Sequence, residues 1–146
     1  MLVFRNITET DIQNVATMEA NVFSDAWTAQ SIWETFCQSQ AFIAIAEMEG
    51  QLAGYCIVYY VMDEAEIARI AVGEKIRRQG VGRGLLDYVC ACCKEKKIER
   101  LLLDVRENNV GARAFYQQYG FTEDGIRKNF YDQPKENAVL MSKVLI

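Results

Sequence analysis

Histidine is absent from this chain of 146 residues, and proline occurs only once. Without histidine, the chain cannot form a histidine-based catalytic triad or a histidine-ligated metal centre. A general base must therefore be a carboxylate, a tyrosine or water. The near absence of proline and of low-complexity sequence argues against linkers and disordered tails, so we expect a single domain over residues 1–146.

Long hydrophobic runs and an excess of positive charge are also missing. No apolar run approaches the roughly 18–20 residues that a membrane-spanning helix needs. The N-terminal residues MLVFRNITETD lack the basic and apolar regions of a signal peptide. A net charge of −4 argues against general nucleic-acid binding, which requires a basic face. We therefore expect a cytoplasmic protein without a membrane or nucleic-acid partner.

The five cysteines are odd in number and lack the paired spacing of metal ligands. Three of them, Cys90, Cys92 and Cys93, fall in a predicted helix. A helical projection places Cys92 and Cys93 on or beside the apolar face and Cys90 toward the polar edge. We therefore expect packed, reduced thiols and no metal site.

Apolar periodicity predicts the element order β-α-α-β-β-β-α-β-α-β-β. Strands are predicted at residues 2–5, 41–48, 52–62, 64–72, 100–106, 121–131 and 138–145. Helices are predicted to begin near residues 8–11 and 28, and to span residues 80–97 and 112–119, with Gly120 as the last C-cap. This order predicts an α/β fold, a mixed sheet with helices on both faces, in which a crossover helix joins two parallel strands.

The stretch IRRQGVGRG, residues 76–84, is basic and rich in glycine and leads into the third helix. A glycine turn before a helix offers unpaired backbone N–H groups and the positive end of the helix dipole, which together bind anions such as phosphate. The spacing of Gly80, Gly82 and Gly84 matches neither the P-loop nor the dinucleotide fingerprint. On composition alone, a tight turn with solvated arginines remains the alternative.

This stretch resembles the acetyl-CoA signature of the GNAT family of N-acetyltransferases, with Arg77, Gly80 and Gly82 in the signature positions. The order of elements is similar to that family over essentially the whole chain. The resemblance implies the GNAT fold, a mixed and mostly antiparallel sheet of about seven strands. It also implies that acetyl-CoA binds along the preceding strand and the loop, at Ile70, Ala71, Val72, Arg77, Arg78, Gln79, Gly80, Val81, Gly82 and Arg83.

Three further segments resemble the ribosomal-protein-alanine N-acetyltransferases, the RimI type: DEAEIARIAV, LLDVRENNVGARAFYQQYGF and IRKNFY. The resemblance implies that Asn109 lies against the coenzyme and that Tyr116 lies near the thioester sulfur as the general acid. It implies direct attack by the amine, with an oxyanion held by a backbone N–H near Ala71 or Val72. The implied acceptor is the N-terminal alanine of a small-subunit ribosomal protein.

Asp104 interrupts the apolar strand LLLDVR, and strand alternation places it on one face with Leu102 and Arg106. Such a carboxylate must line a polar cleft or be paired, and an ion pair with Arg106 is the structural alternative. The resemblance implies a general base, although the family generally has glutamate here. Since aspartate is one methylene shorter, we expect it to act through a water or to orient the amine. An α-amine with a pKa of about 7.7–8.0 needs only a weak base, unlike lysine at about 10.4.

On the acceptor side, the resemblance implies that Trp27 and Tyr131 border the peptide site. The family proline before the tryptophan is missing, and Asn137 replaces an aspartate. Two other functions remain open: acetylation of a polyamine or another small amine, and non-catalytic binding of acyl-CoA. The joint presence of Asp104 and Tyr116 argues against the second, because a binding module needs neither.

Overall fold

The computed structural model describes residues 1–73, 79–132 and 134–146. Two residues predicted to bind the coenzyme, Arg77 and Arg78, lie outside these ranges. The strands are β1 Leu2–Asn6, β2 Ala41–Met48, β3 Gln51–Val61, β4 Glu64–Val72, β5 Arg100–Arg106, β6 Thr122–Asp132 and β7 Lys135–Val144. The helices are α1 Ile12–Val22, which follows a 3₁₀ turn at Glu9–Asp11, α2 Ala29–Phe36, α3 Val81–Glu95 and α4 Val110–Tyr119. The predicted order of elements is confirmed.

The strands form one sheet in the order β1-β2-β3-β4-β5-β7-β6. Neighbouring strands are antiparallel except β4 and β5, which are parallel and are joined through α3. A parallel pair needs a crossover connection, and the helix provides it. The mixed, mostly antiparallel sheet of seven strands is therefore as predicted.

Two apolar cores lie on opposite faces of this sheet, as strand β2 shows. Its residues Ala44 and Ala46 belong to the core that contains Val81, Leu85 and Val89 of α3. The alternating residues Ile43 and Ile45 belong to the core that contains Val15 of α1 and Ile32 of α2. Because successive strand side chains point to opposite faces, α3 covers one face of the sheet and the α1–α2 pair covers the other.

The first residues of two elements, α4 and β7, differ slightly from the prediction because a side-chain cap or strand pairing determines where each begins. Helix α4 begins at Val110, two residues before the predicted start, because the side chain of Asn109 caps it by accepting from the N–H of Ala112 at 3.1 Å. Strand β7 begins at Lys135, three residues early, because its polar start pairs with the end of β6. Gly120 ends α4 in the left-handed conformation, as predicted.

One cysteine assignment is wrong. Cys90 and Cys93 are both buried, whereas Cys92 is only partly buried. Helix α4 covers the side of α3 that the projection assigned to solvent, and the hydroxyl of Tyr119 approaches the Cys90 sulfur at 3.8 Å. The five thiols are all free, as expected.

A break in pairing between β4 and β5 positions the functional site. The two strands pair only from Glu64–Arg100 to Ile67–Leu103. At the same point the pairing of β4 with β3 shifts register, and Ala68 is the extra residue of a β-bulge. Beyond the bulge, no strand within the described ranges pairs with the edge of β4 that faces β5. The two strands therefore diverge and leave a cleft between them.

Candidate active site

The cleft between β4 and β5 has a volume of about 930 Å³. Its walls come from both strands, from the chain that follows α1, from α4 and from the β6–β7 hairpin. Five of the residues predicted from the sequence line it: Ile70, Asp104, Asn109, Tyr116 and Tyr131. Residues that are distant in the chain are thus brought to one concave site, which is the usual setting of a ligand site.

Asp104 is the carboxylate of β5 that lines this cleft. Its Oδ1 atom is buried, and no donor among the described residues reaches it. Burial raises the pKa of Asp104, and the charge of Arg127 opposes that increase. Arg106, the alternative partner considered from the sequence, instead pairs with Glu136 at 3.3 Å and stacks over the ring of Tyr131 at 4.2 Å.

Glu66 faces the same side of the sheet as Asp104. Strand pairing sets Glu66 opposite Leu102, and Asp104 lies two residues further along β5 on that face. Burial first, and then the charge of Asp104, raise the pKa of Glu66. Arg127 opposes the increase for both carboxylates. Glu66 and Asp104 therefore place two acidic groups on one face of the sheet beside the cleft, an arrangement that favours a cationic ligand or a shared proton.

Tyr116 lines the cleft from α4 and packs against two other aromatic rings. Its ring makes edge contacts with Phe115 and Phe121, with centroids 5.4 and 5.6 Å away. Only 8% of the residue is exposed, and burial raises the pKa of its phenol. The hydroxyl consequently stays protonated near neutral pH and is able to act as a proton donor.

Tyr131 lines the same cleft from β6. Burial, followed by the charge of Asp104, raises its pKa to about 12. Its ring meets that of Phe130 edge-on at 5.0 Å and supports the guanidinium of Arg106. The backbone N–H of Asn129, which has a positive φ of 55°, donates to Asn137 Oδ1 at 2.9 Å and so fixes this irregular part of β6.

The N-terminus of α3 has the features of an anion site. Gly80 precedes the helix with φ of 81°, a conformation that glycine adopts without strain. The N–H of Gly84 donates to the carbonyl of Gly80 at 2.9 Å and makes the first helical hydrogen bond. By helix geometry, the N–H groups of Val81, Gly82 and Arg83 are left for an external acceptor. The preceding Gln79 is exposed.

The side chains around this helix start leave room for a ligand. Val81 is buried in the core, so only its backbone can contribute to binding. A Cβ on Gly82 would lie 3.4 Å from the ring of Phe115, so a side chain there would reduce the space. The guanidinium of Arg83 lies over the ring of Tyr119, with its carbon 5.4 Å from the centroid.

The strand leading to this helix offers an unpaired backbone edge. Ile70, Ala71 and Val72 pair with β3 on one side and lie beyond the last pair with β5 on the other. Backbone groups at such an edge are available to a ligand that contains amides. The open strand edge, the adjoining cleft and the start of α3 fit a long, flexible ligand with an anionic end, which agrees with the coenzyme implied by the resemblance.

Asn109 and Trp27 occupy structural positions that the sequence did not predict. The Oδ1 atom of Asn109 is engaged as the cap of α4, which leaves the amide nitrogen for a ligand. Trp27 is not among the residues lining the cleft; its ring packs against Tyr59, with centroids 6.4 Å apart. It is tied in place by its backbone N–H, which donates to Glu19 Oε2 at 3.0 Å.

Sequence reasoning missed Arg69 and Arg127. Arg69 lines the cleft from β4, and Arg127 on β6 acts on both carboxylates. The one available signal was an arginine within the otherwise apolar run IARIAV. Its buried partner, Glu19, is 50 residues away in the chain, so local patterns could not pair them.

Within residues 1–73, 79–132 and 134–146, no three or more cysteine, aspartate and glutamate side chains are grouped so as to hold a metal ion. No helix in the same ranges is long and apolar enough to cross a membrane.

Residues 12–121 match the family model of the acetyltransferase (GNAT) family. A Haemophilus influenzae [ribosomal protein bS18]-alanine N-acetyltransferase is 32% identical, with 97% of this chain and 98% of that protein covered. A Bacillus subtilis protein to which the same activity is provisionally assigned is 38% identical over 94% of this chain and 91% of its own. The crystal structure of the ribosomal-protein-S18-alanine N-acetyltransferase from Escherichia coli superposes with a TM-score of 0.91 at 27% identity, covering 99% of this chain and 94% of that one.

Asp104→Asn is expected to increase the free energy of unfolding near pH 7. Because burial raises the folded-state pKa of Asp104, its contribution to stability is present below the unfolded pKa of about 3.9 and is lost as the pH rises through the folded value. The neutral amide of asparagine does not lose this contribution, so the variant is more stable than the wild type near pH 7. The advantage of the variant becomes smaller toward about pH 4, the unfolded pKa of aspartate. Urea unfolding across this range measures it.

The exposed Asp63 provides the matched control for this change. Asp63→Asn is expected to leave unchanged the difference between the free energies of unfolding measured near pH 7 and near pH 4. A variant Asp104→Asn that is less stable than the wild type near neutral pH would contradict the account of a carboxylate whose burial raises its pKa.

Proposed function

Because this chain belongs to the acetyltransferase (GNAT) family, we propose that it transfers acetyl from acetyl-CoA to the N-terminal α-amine of a protein. The proposed acceptor is the α-amine of the N-terminal alanine of ribosomal protein bS18. Relatives named for that activity align over nearly the full length of both chains. The observation that carries the proposal is one cleft lined by both Asp104, whose buried Oδ1 has no hydrogen-bond donor within the described part of the chain, and the buried Tyr116.

The donor is proposed to lie along the open edge of β4. Acetyl-CoA supplies an activated acetyl thioester on a long arm that contains amides and ends in phosphates. The backbone of Ile70, Ala71 and Val72 would hold the arm, since no strand among the described residues pairs with that edge beyond the bulge. The N–H groups at the start of α3, together with Gln79, Gly80, Arg77 and Arg78, would hold the pyrophosphate. The amide nitrogen of Asn109 would contact the coenzyme from α4.

Asp104 is proposed to accept the proton of the attacking amine, directly or through one water. Burial brings the pKa of its carboxyl closer to that of an α-amine, about 7.7–8.0, which favours proton transfer between them. A lysine acceptor at about 10.4 would need a stronger base. The chemistry of the site therefore favours an N-terminal amine over a lysine side chain.

Tyr116 is proposed to protonate the departing thiolate. Its phenol is buried, remains protonated near neutral pH and is held by the two neighbouring phenylalanine rings. This packing limits how far the hydroxyl of Tyr116 must move when it protonates the departing sulfur. Asp104 on β5, the proposed base, and Tyr116 on α4, the proposed acid, both line this cleft, which supports the proposal.

The acceptor is proposed to enter on the side of Asp104, between the chain after α1 and the β6–β7 hairpin. Glu66 and Asp104 give this side a negative character that suits a protonated N-terminus before it loses its proton. Tyr131 lines the cleft from the β6–β7 hairpin. Trp27 does not line the cleft but follows the segment after α1 that does, and its backbone N–H donates to Glu19.

Release of free thiol from acetyl-CoA tests the proposed function. Three acceptors are compared: a basic peptide that begins with alanine, the same peptide with a blocked N-terminus, and spermidine. We expect turnover with the first alone. Equal rates with the blocked peptide would move the target to lysine, and preference for spermidine would favour a small-amine enzyme. Coenzyme binding without turnover on any amine would contradict an enzymatic function.

Asp104→Asn and Tyr116→Phe separate the proposed base from the proposed acid. In the wild type, kcat/KM is expected to rise with pH as Asp104 loses its proton, and Asp104→Asn should remove that rise. Tyr116→Phe should lower kcat by about 10²-fold or more, as loss of a general acid does, with little change in coenzyme affinity. An unchanged pH profile would make Asp104 structural, and a large loss of affinity would make Tyr116 a binding residue.

A further inference from the structure

A fully buried carboxylate lies behind one wall of the cleft. The side chain of Glu19, near the end of α1, has no exposed surface. It accepts hydrogen bonds from the hydroxyl of Tyr55 on β3, from the backbone N–H of Trp27 at 3.0 Å and from Arg69 Nε on β4 at 2.8 Å. One carboxylate therefore joins four parts of the chain: α1, the segment after it, β3 and β4.

Arg69 extends this network to the surface of the cleft. Its Nη2 atom donates to the backbone oxygen and to the carboxylate of Asp25, at 2.9 and 3.1 Å. Its guanidinium also stacks over the ring of Phe23, with its carbon 4.0 Å from the centroid. The side chain is only 14% exposed, so a large part of this charge is removed from water. Arg69 thus holds residues 23–25 against β4.

The β-bulge explains why Arg69 points toward Glu19. Ile67 and Ile70 pack in the core beneath α3, whereas Ala68 and Ala71 pack in the core beneath α1 and α2. Strict alternation from Ile67 would turn Arg69 into the α3 core. The extra residue at Ala68 puts Ala68 and Arg69 on the α1 face together. The bulge that opens the cleft and the Glu19–Arg69 pair are therefore parts of one arrangement.

The wall held by this pair faces the acceptor side of the cleft. Phe23, Ser24 and Asp25 line the cleft from the α1–α2 face of the sheet. Asp104 faces away from the α3 core as well, since Leu103 and Val105 occupy that core. The start of α3, where the donor phosphates are proposed to bind, lies on the opposite face. A shift of residues 23–25 would change the acceptor path more than the donor path.

We propose that Glu19 and Arg69 form a positioning pair for the acceptor, which fixes residues 23–25 as a wall of the acceptor path. The inference rests on the proposed function for its kinetic consequence. Neither residue needs to touch the reacting atoms, since the pair acts through the segment that it anchors. A merely structural pair would affect stability and both substrates alike.

Arg69→Lys tests the proposal, because lysine keeps a charge for Glu19 but cannot bridge to Asp25 at the same time. We expect KM for the alanine peptide to rise about tenfold, equivalent to about 1.4 kcal/mol, while KM for acetyl-CoA and kcat change less than about twofold. Arg69→Met should raise the peptide KM further. Glu19→Gln keeps the size and shape of the side chain but replaces one accepting oxygen with an NH₂ donor and removes the charge, so it should have the same selective effect as Arg69→Lys.

Arg100→Lys is the matched control. Arg100 pairs with Glu64 at 3.3 Å at the closed end of the same two strands, far along β5 from Asp104. We expect both KM values to stay as in the wild type. If Arg69→Lys leaves the peptide KM unchanged, or raises both KM values equally, the positioning role is overturned.

A fluorescence measurement keeps this test independent of the enzymatic proposal. In a Trp33→Phe background, Trp27 is the single tryptophan and reports on the anchored segment. Arg69→Lys should make Trp27 more accessible to acrylamide and Arg100→Lys should not; equal quenching in both would contradict the anchoring role. If the wild type prefers a different amine, KM for that amine is measured in place of the peptide KM. The proposed specificity for an α-amine can then be refuted while the role of the positioning pair is still tested.

Discussion

The separation of β4 from β5 is the constraint on which the rest of the structure depends. Parallel pairing ends at Ile67 and Leu103, where the bulge at Ala68 also shifts the register with β3. The separation leaves one backbone edge without a strand partner and brings Asp104 to the wall of an open cleft. A continuous parallel pair would satisfy the backbone but would leave no room for either substrate.

The bulge also determines how charge is distributed around the cleft. It turns Arg69 toward the buried Glu19, so this cation is used to hold a wall. Arg106 is likewise engaged by Glu136 and Tyr131. The buried Oδ1 of Asp104 has no hydrogen-bond donor among the residues that the structure describes, and burial raises the pKa of this carboxyl. A group that is poorly solvated in the free protein is a source of reactivity at an active site, at a cost in stability.

Sequence patterns predicted the fold well because each element carries a local signal. Alternation and apolar runs located the strands, Thr28 marked the start of α2, and Gly120 marked the end of α4. Asp104 was predicted to be a site residue because a carboxylate within an apolar strand must either line a polar cleft or be paired. The exposure of Cys90 was wrong because α4 packs on that side of α3, and the Glu19–Arg69 pair was missed because it depends on a bulge and a contact across 50 residues.

The central claim is that the acceptor amine meets the thioester beside Asp104, on the α1–α2 side of the diverging strands. A crystal structure with coenzyme A and an alanine-starting peptide tests it most directly. The account predicts the coenzyme along β4, its sulfur next to the hydroxyl of Tyr116, and the α-nitrogen bound to the carboxylate of Asp104 directly or through one water. A peptide N-terminus bound away from Asp104, with the coenzyme in place, would contradict the account.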